Sequence, residues 1–328
     1  SIYNEKYAGG IVFTWQDEWF KRTWNNVNFD LLERRPYWSN VQTTEQCFGI
    51  LTFDPGDNSS TCYVDGDISD WAGEESVIQK EEGSLSIKCD EKYVYMMLDL
   101  KDFDFEKDTL YIPIDTKKNQ GNTKAKEQGL AFDHAADFLI TINGKDNSRI
   151  IVDSYYDAFY YLYGEQYKML DLVKNIRTKD SGRFHNMRMC FGYEFTIQST
   201  GASVPFKSFE TGKLEYGVSN PQSPEYKSLS DFYYKDGKLE IKIPWQLLNV
   251  MDPSEKKIMD DFYELQVITS TDFSRFLLGF GIEGKDKTIS LNGIFTYDSW
   301  KMPTYHERLK PAYYELQEGL LKYKAEKG

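Results

Sequence analysis

The chain is poor in the residues that build metal and redox centres. Its 328 residues include three histidines, His134, His185 and His306, and four cysteines, Cys47, Cys62, Cys89 and Cys190. The cysteines lack C-x-x-C spacing, and so few in a chain of this length need not form a disulfide framework; four buried thiols are the simple reading, a Cys62–Cys89 bridge the alternative. The histidines are too scattered for spacing alone to define a zinc site or a Ser-His-Asp triad. No apolar run reaches the roughly 18 residues that span a bilayer, and no basic-then-apolar leader opens the chain. Positive charge is also scarce: Lys and Arg number 39 against 52 Asp and Glu, a net charge of −13 with no basic patch. Such a field repels phosphate backbones, so nucleic acid and anionic membrane are not expected partners. There is no repeat of fixed period and no low-complexity tract.

Aromatic residues, by contrast, are abundant: 24 Tyr, 21 Phe and 7 Trp in a chain that is 40% hydrophobic. Such rings suit half-buried pleated surfaces and flat stacking platforms alike. From Tyr63 onward the pattern is that of β-structure. Ser84–Cys89 alternates polar and apolar, Asp90-Glu91-Lys92 turns, and Tyr93–Leu100 returns as a strand, which makes a hairpin. Asp137–Ile142 and Ser148–Asp153 are expected to pair across Asn143-Gly144. Leu110–Thr116 reads as a strand in which Pro113 argues for an edge or a bulge. Asn119–Gly129 reads as a polar loop, and Phe184–Gln198, Lys213–Val218, Phe262–Ser270 and Thr288–Phe295 as further strands. Lys238–Ile243 alternates and meets Pro244, which starts a short helical turn. Helical spacing at Leu309, Tyr313, Leu316 and Leu320 marks a C-terminal tail. The expectation is a mainly β chain, a two-sheet antiparallel β-sandwich with an N-terminal extension and a C-terminal helical tail. The turn-rich stretch Asp54–Ser60 sets the divisions at 1–59, 60–303 and 304–328.

The extension opens with the apolar run Gly9–Trp15, read as a strand covered on both faces, followed by Gln16-Asp17-Glu18-Trp19. The sequence starts at Ser1 rather than at a methionine, from which a fragment of a longer polypeptide is expected. GGIVFTWQDEWF resembles a late strand of the (β/α)8 barrels of glycoside hydrolases, in which catalytic residues project from the C-terminal ends of strands. Asp17 and Glu18 are therefore the candidate catalytic carboxylates. Glycoside cleavage needs two carboxyl groups about 5–9.5 Å apart. Adjacent residues on a strand point to opposite faces, so these two do not form one pair with each other, and a partner is expected upstream.

Two further stretches, VDGDISDW at 64–71 and KLEIKIPWQLL at 238–248, resemble the family 9 carbohydrate-binding modules and their DOMON-like relatives. Asp65, Gly66 and Trp71, with Glu240, Ile243, Pro244 and Trp245, match that pattern. The central strand departs from it, with Ala136-Asp137-Phe138-Leu139-Ile140-Thr141 where the family often continues D-x-x-E-x-F-I-D, so no ligand residues carry over. The resemblance implies a β-sandwich and a carbohydrate-binding or accessory role in the C-terminal part of a larger carbohydrate-active protein, extracellular or at the cell surface. Its partners would be a polysaccharide or oligosaccharide and the rest of the parent protein. The alternatives are a piece of a glycoside hydrolase using Asp17 or Glu18, and a domain-packing module without a ligand. Haem, which DOMON relatives bind, is disfavoured because Met96, Met97, Met187 and Met189 read as core filling.

Sugar recognition needs aromatic faces for the pyranose ring and polar groups for its hydroxyls. Both ingredients are densest at 153–167, and the candidate ligand residues are Tyr155, Tyr156, Asp157, Tyr160, Tyr161 and Tyr163. Trp71 and Trp245 are expected in the core. Asp65, Asp67 and Asp70 are spaced for one Ca2+-binding turn, although the terminal glutamate of an EF-hand is absent and a solvated acidic loop is the alternative.

Overall fold

The computed structural model describes residues 5–7, 9–18, 21, 29, 47–57, 62–157, 159–170 and 178–327. Two antiparallel sheets carry the fold. One has five strands in the order Phe232–Lys235, Lys238–Pro244, Tyr93–Leu100, Gly83–Cys89, Ser76–Lys80. The other has seven: Phe184–Asn186, Arg149–Asp153, Phe138–Ile142 and Leu110–Asp115 in sequence, then Phe276–Leu278 and Gly281–Ile282 side by side along Leu110–Asp115, then Gly293–Phe295. The main core lies between them. Val94, Met96, Leu98, Leu239, Ile241 and Ile243 from the first sheet share one buried cluster with Ile112, Ile114, Phe138, Ile140, Ile150 and Val152 from the second. Full burial of each such side chain is worth about 1.5–3 kcal/mol, more than an exposed ion pair supplies.

Leu110–Asp115 and Phe138–Ile142 are apolar on both faces because the seven-stranded sheet is also covered outside, and part of the outer face of the five-stranded sheet is covered too. Tyr95 alternates with the inward Val94 and Met96, and it packs outward against Cys62 and Trp71. On the other sheet Tyr111, Leu139 and Ile151 point away from the main core. There they meet Ala125, Leu130, Phe132, Ile289 and Leu291 from the hairpin Asn122–Ala125/Leu130–Ala136 and the strand Thr288–Ile289 beside it. The expected hairpins form in the expected register, Ser84 opposite Asp99 and Thr141 opposite Arg149. Trp71 and Trp245 are buried, and Trp245–Leu248 is the short helical turn after Pro244.

Other expectations are corrected. Gly9–Trp15 is not a covered strand: Ile11 is 98% exposed, and Thr14 and Trp15 make isolated backbone bonds to 48–51 beside the parallel bridge of Gln16 with Leu51. Leu110–Asp115 is an interior strand. Pro113 is tolerated there because its neighbour is interrupted between Leu278 and Gly281; Gly279 N donates to the Pro113 carbonyl at 3.2 Å, and no strand residue needs the missing N–H. The polar stretch 119–129 contains the strand Asn122–Ala125. Residues 213–218 make isolated bridges rather than a strand. Phe262–Leu265 is a helical turn capped by Asp261, and Thr288–Phe295 is two short strands. The four thiols are free, with no Cys62–Cys89 bridge.

The two ends of the chain meet. Leu51–Pro55 pairs antiparallel with Tyr305–Leu309, so Leu309 belongs to a strand, and the C-terminal helix Pro311–Lys327 follows. Arg308 grips Asp54 through Nε at 2.5 Å and Nη2 at 3.3 Å. Trp19, Trp24 and Trp38 lie outside the described residues.

Candidate ligand surface

Most of the tyrosine segment is inside. Tyr155, Tyr156, Asp157 and Tyr163 are buried, and Tyr160 is half-buried in the helix Phe159–Gln166. Tyr161 lies in the same helix, with a side chain outside the described set. The hydroxyls of Tyr155 and Tyr156 are committed to the fold. Tyr156 Oη donates to the Met259 carbonyl at 2.5 Å, and Tyr155 Oη donates to Asp261 at 2.9 and 3.0 Å. Burial and the bond to Asp261 push the Tyr155 phenol up to about 12. Burial works against ionised Asp261, yet the Lys179 ammonium at 2.8 Å, Glu264 N and Tyr155 Oη together hold it below the usual aspartate range. Asp157 Oδ2 stands 3.2 Å from His185 Nδ1. The buried rings of Tyr155, Tyr156 and Tyr163 do not offer flat faces to a ligand.

The same segment supports a neighbour that does. Cys190 Sγ donates to the Tyr160 carbonyl at 3.4 Å, Tyr160 packs on Phe206, and Tyr167 stacks on Tyr193 with centroids 4.9 Å apart and planes 10° apart. Cys190, Tyr193 and Phe206 belong to a β-ribbon in which Arg188–Gly192 pairs with Lys207–Glu210 and Phe195–Thr196 with Ser203–Val204. A bulge at Phe191 interrupts the first pairing. Along this ribbon Phe191, Tyr193, Phe195 and Ile197 fall on alternate residues and are exposed, Phe191 by 71%; across the ribbon Phe209 is exposed by 65%. Glu194 and Lys207 are exposed beside them. The ribbon's four charges, Arg188, Glu194, Lys207 and Glu210, balance in a chain that carries −13 overall. The alternation F-x-Y-x-F-x-I at 191–197 was the available signal, hidden in a segment that otherwise reads as an ordinary strand.

The remaining candidates are placed as follows. Asp17 is buried; its Oδ1 accepts from Gly49 N at 3.0 Å and from Lys310 Nζ at 2.6 Å, which ties the extension to the start of the C-terminal helix. Glu18 pairs with Lys21 at 3.6 Å. Asp65 Oδ1 accepts Asp67 N, its Oδ2 accepts Asn220 Nδ2, Asp67 caps Ser69 N, and Asp70 accepts Tyr63 N. Each of the three aspartates thus serves a turn, and among the described residues no three His, Cys, Asp or Glu side chains converge as a metal site. The two stretches that resemble a family motif do meet in space, through Glu240. Its Oε2 accepts Asp65 N at 3.1 Å and Gly66 N at 2.7 Å, and its Oε1 accepts Trp71 Nε1 at 3.0 Å. Gly66 has φ +83°, and a Cβ there would lie 2.9–3.0 Å from Lys235 and Tyr233, so the turn needs glycine.

The fold and this surface define a class: a mainly β, sandwich-like chain with both sheets covered at least in part on the outside and one ring-bearing ribbon on its surface. Scans of protein-family models, of curated proteins and of solved structures find no match. No described helix is long and apolar enough to cross a membrane.

Proposed function

We propose that this chain is a non-catalytic carbohydrate-binding or accessory β-sandwich of a larger carbohydrate-active protein, and that its sugar-contacting surface is the 188–210 ribbon. The observation that carries the reading is the run of exposed rings Phe191, Tyr193 and Phe195, with exposed Phe209 on the partner strand opposite Met189. Aromatic faces pack against the C–H face of a pyranose while neighbouring polar groups read its hydroxyls, and Glu194 and Lys207 stand in that position. A locally balanced charge suits an uncharged polymer.

A glycan array and affinity electrophoresis in soluble polysaccharides, comparing wild type with Phe191→Ala/Phe195→Ala, test this. Wild type should be retarded by at least one polysaccharide, and the double variant by at least tenfold less at unchanged thermal stability. Absence of any binding by wild type removes the lectin reading and leaves the domain-packing one. That second reading is favoured by exposed Ile11, Val12, Phe13 and Trp15, the last in edge contact with Tyr313 of the C-terminal helix. Under the enzyme alternative, Asp17 would have to exchange its bond to Lys310 for a substrate.

A further inference from the structure

Two carboxylates face one another inside the seven-stranded sheet. The ladder ends with Phe138 opposite Val152, and just beyond it Asp153 N donates to the Asp137 carbonyl at 2.7 Å, which brings the two aspartates beside each other. Side chains so placed have Cβ atoms about 4.5–5.5 Å apart, and like charges there oppose each other. Both aspartates are wholly buried.

Their hydrogen bonds are unequal. Asp137 Oδ2 accepts Thr116 N at 2.8 Å, Thr116 Oγ1 at 2.8 Å and Lys117 N at 2.7 Å, while its Oδ1 has a long contact of 3.5 Å with Gln120 Nε2. Asp153 Oδ1 accepts Asn122 Nδ2 at 2.8 Å and Tyr155 N at 3.1 Å. Asp153 Oδ2 and Gln120 Oε1, both buried, have no hydrogen-bond partner among the described residues. Buried acceptors without donors cost about 1–3 kcal/mol each.

Among the described residues, the groups facing this pair supply no ammonium to neutralise it. Lys117 Nζ pairs with Asp260 at 3.3 Å, and His185, on the next strand, is engaged by Asp157. Asp115, on the other flanking strand, is itself pushed up to about 7, by burial first and then by the Asp137 charge, with Arg275 and His134 opposing. Arg183 contributes its carbonyl, which accepts Asn122 Nδ2 at 2.9 Å. Tyr156 faces Asp137 with its hydroxyl turned to Met259.

We propose that Asp137 and Asp153 share one proton near neutral pH, resident on Asp153 Oδ2, and that this proton latches the 116–125 connection to the sheet. Burial raises the Asp137 carboxyl as well, but the three donors on its Oδ2 oppose that, and on this geometry Asp137 is assigned as the ionised member. Asp153 Oδ2–H supplies the donor that the vacant acceptors lack. Burial pushes the Asp153 carboxyl up to about 7, with the Asp137 charge adding to it. The reaction is a simple proton loss to solvent, which leaves two opposed anions under Gln120 and Asn122. The folded value lies above the unfolded aspartate value of about 3.9, so the folded chain holds this proton more tightly. The stability it contributes is fully present below about pH 4, is lost as the pH rises towards about 7, and does not change further above that. Within that window the unfolding constant changes by up to about tenfold per pH unit.

The test compares wild type with Asp153→Asn, whose amide mimics the protonated acid. Thermal unfolding and amide exchange of 116–125 are followed from about pH 5 to about pH 8. Wild type should lose stability with rising pH by one proton more than the variant, and exchange at 116–125, corrected for its intrinsic rate, should rise in wild type alone. Equal pH slopes in both proteins overturn the proposal. So does stabilisation of wild type by Ca2+ that a chelator reverses and the variant lacks, because a cation would then occupy the place of the proton. Should Asp153→Asn fail to fold, carboxyl-13C aspartate NMR of wild type decides: an Asp153 resonance titrating near 7 supports the proposal, and one titrating below about 5 overturns it.

Discussion

Replacing Glu240 with alanine removes a buried carboxylate that joins the turn at 64–71 to the sandwich, and the cost follows from its three bonds. Asp65 N, Gly66 N and Trp71 Nε1 all end on this buried carboxylate. A hydrogen bond to a charged group contributes about 1.5–3 kcal/mol, so three stranded donors could cost roughly 5–9 kcal/mol if nothing compensated. The carboxylate itself is disfavoured by burial, which raises its pKa, and its removal relieves that. The net loss for Glu240→Ala is therefore about 3–5 kcal/mol. For a chain of this size that corresponds to a fall in Tm of about 4–7 °C. Glu240→Gln keeps one acceptor oxygen and turns an amide donor against N–H groups, so it should fall between, at about 1–3 kcal/mol. Urea unfolding followed by tryptophan fluorescence measures both, and amide exchange at 64–72 locates the effect. A midpoint for Glu240→Ala within about 0.5 kcal/mol of wild type, the range of ordinary surface changes, refutes the claim that this carboxylate holds the turn.

Tyr156→Phe deletes the buried bond to the Met259 carbonyl and should cost about 1–1.5 kcal/mol in a urea titration, whereas Tyr156→Ala, which also opens a cavity, should cost about 3–5. Arg308→Ala leaves Asp54 without its fork and should speed amide exchange at 51–55 and 305–309 while the sandwich strands stay protected. Asp261→Asn should destabilise at neutral pH. Because the folded pKa of Asp261 is depressed, its contribution is present above the ordinary aspartate value and disappears as the pH falls through the folded one, so wild type and variant should converge in acid.

What the sequence made legible was local. Ser84–Cys89 and Tyr93–Leu100 alternate because one face looks into the main core and the other into a smaller cover, and a hairpin with its turn at Asp90 follows from pattern alone. Pro113 misled because the usual objection, a missing donor, assumes a continuous neighbour, and here the neighbour breaks opposite it. Gly9–Trp15 misled in the opposite sense: an apolar run reads as buried, but burial depends on what is brought to cover it. The tyrosine segment shows the same limit for the site. Composition cannot separate a ring that stacks on a ligand from one whose hydroxyl ends on Asp261 or the Met259 carbonyl, since the difference is set by elements about a hundred residues away. Glu240 was visible as a motif residue, but not as the acceptor for the other motif's glycine and tryptophan.

The division of labour between buried and exposed rings also bears on how the proposed function can be separated from stability. Phe138, Phe232 and Trp245 lie in the core, where truncation opens cavities worth about 3–5 kcal/mol. Phe191 and Phe209 keep most of their surface in water, so alanine there should change stability by no more than about 0.5 kcal/mol. A polypeptide gains little from holding such rings on a ribbon with balanced charges unless something else covers them. Tyr193 is the informative intermediate, because it spends one face on Tyr167 and keeps the rest exposed. Tyr167→Ala should leave the two sheets unperturbed but release Tyr193 from its fixed plane. If polysaccharide retardation depends on an oriented ring, this variant loses it while Phe191 and Phe195 are still in place. Retention at the wild-type level would mean that the ribbon acts through apolar area alone, which favours a protein partner over a sugar.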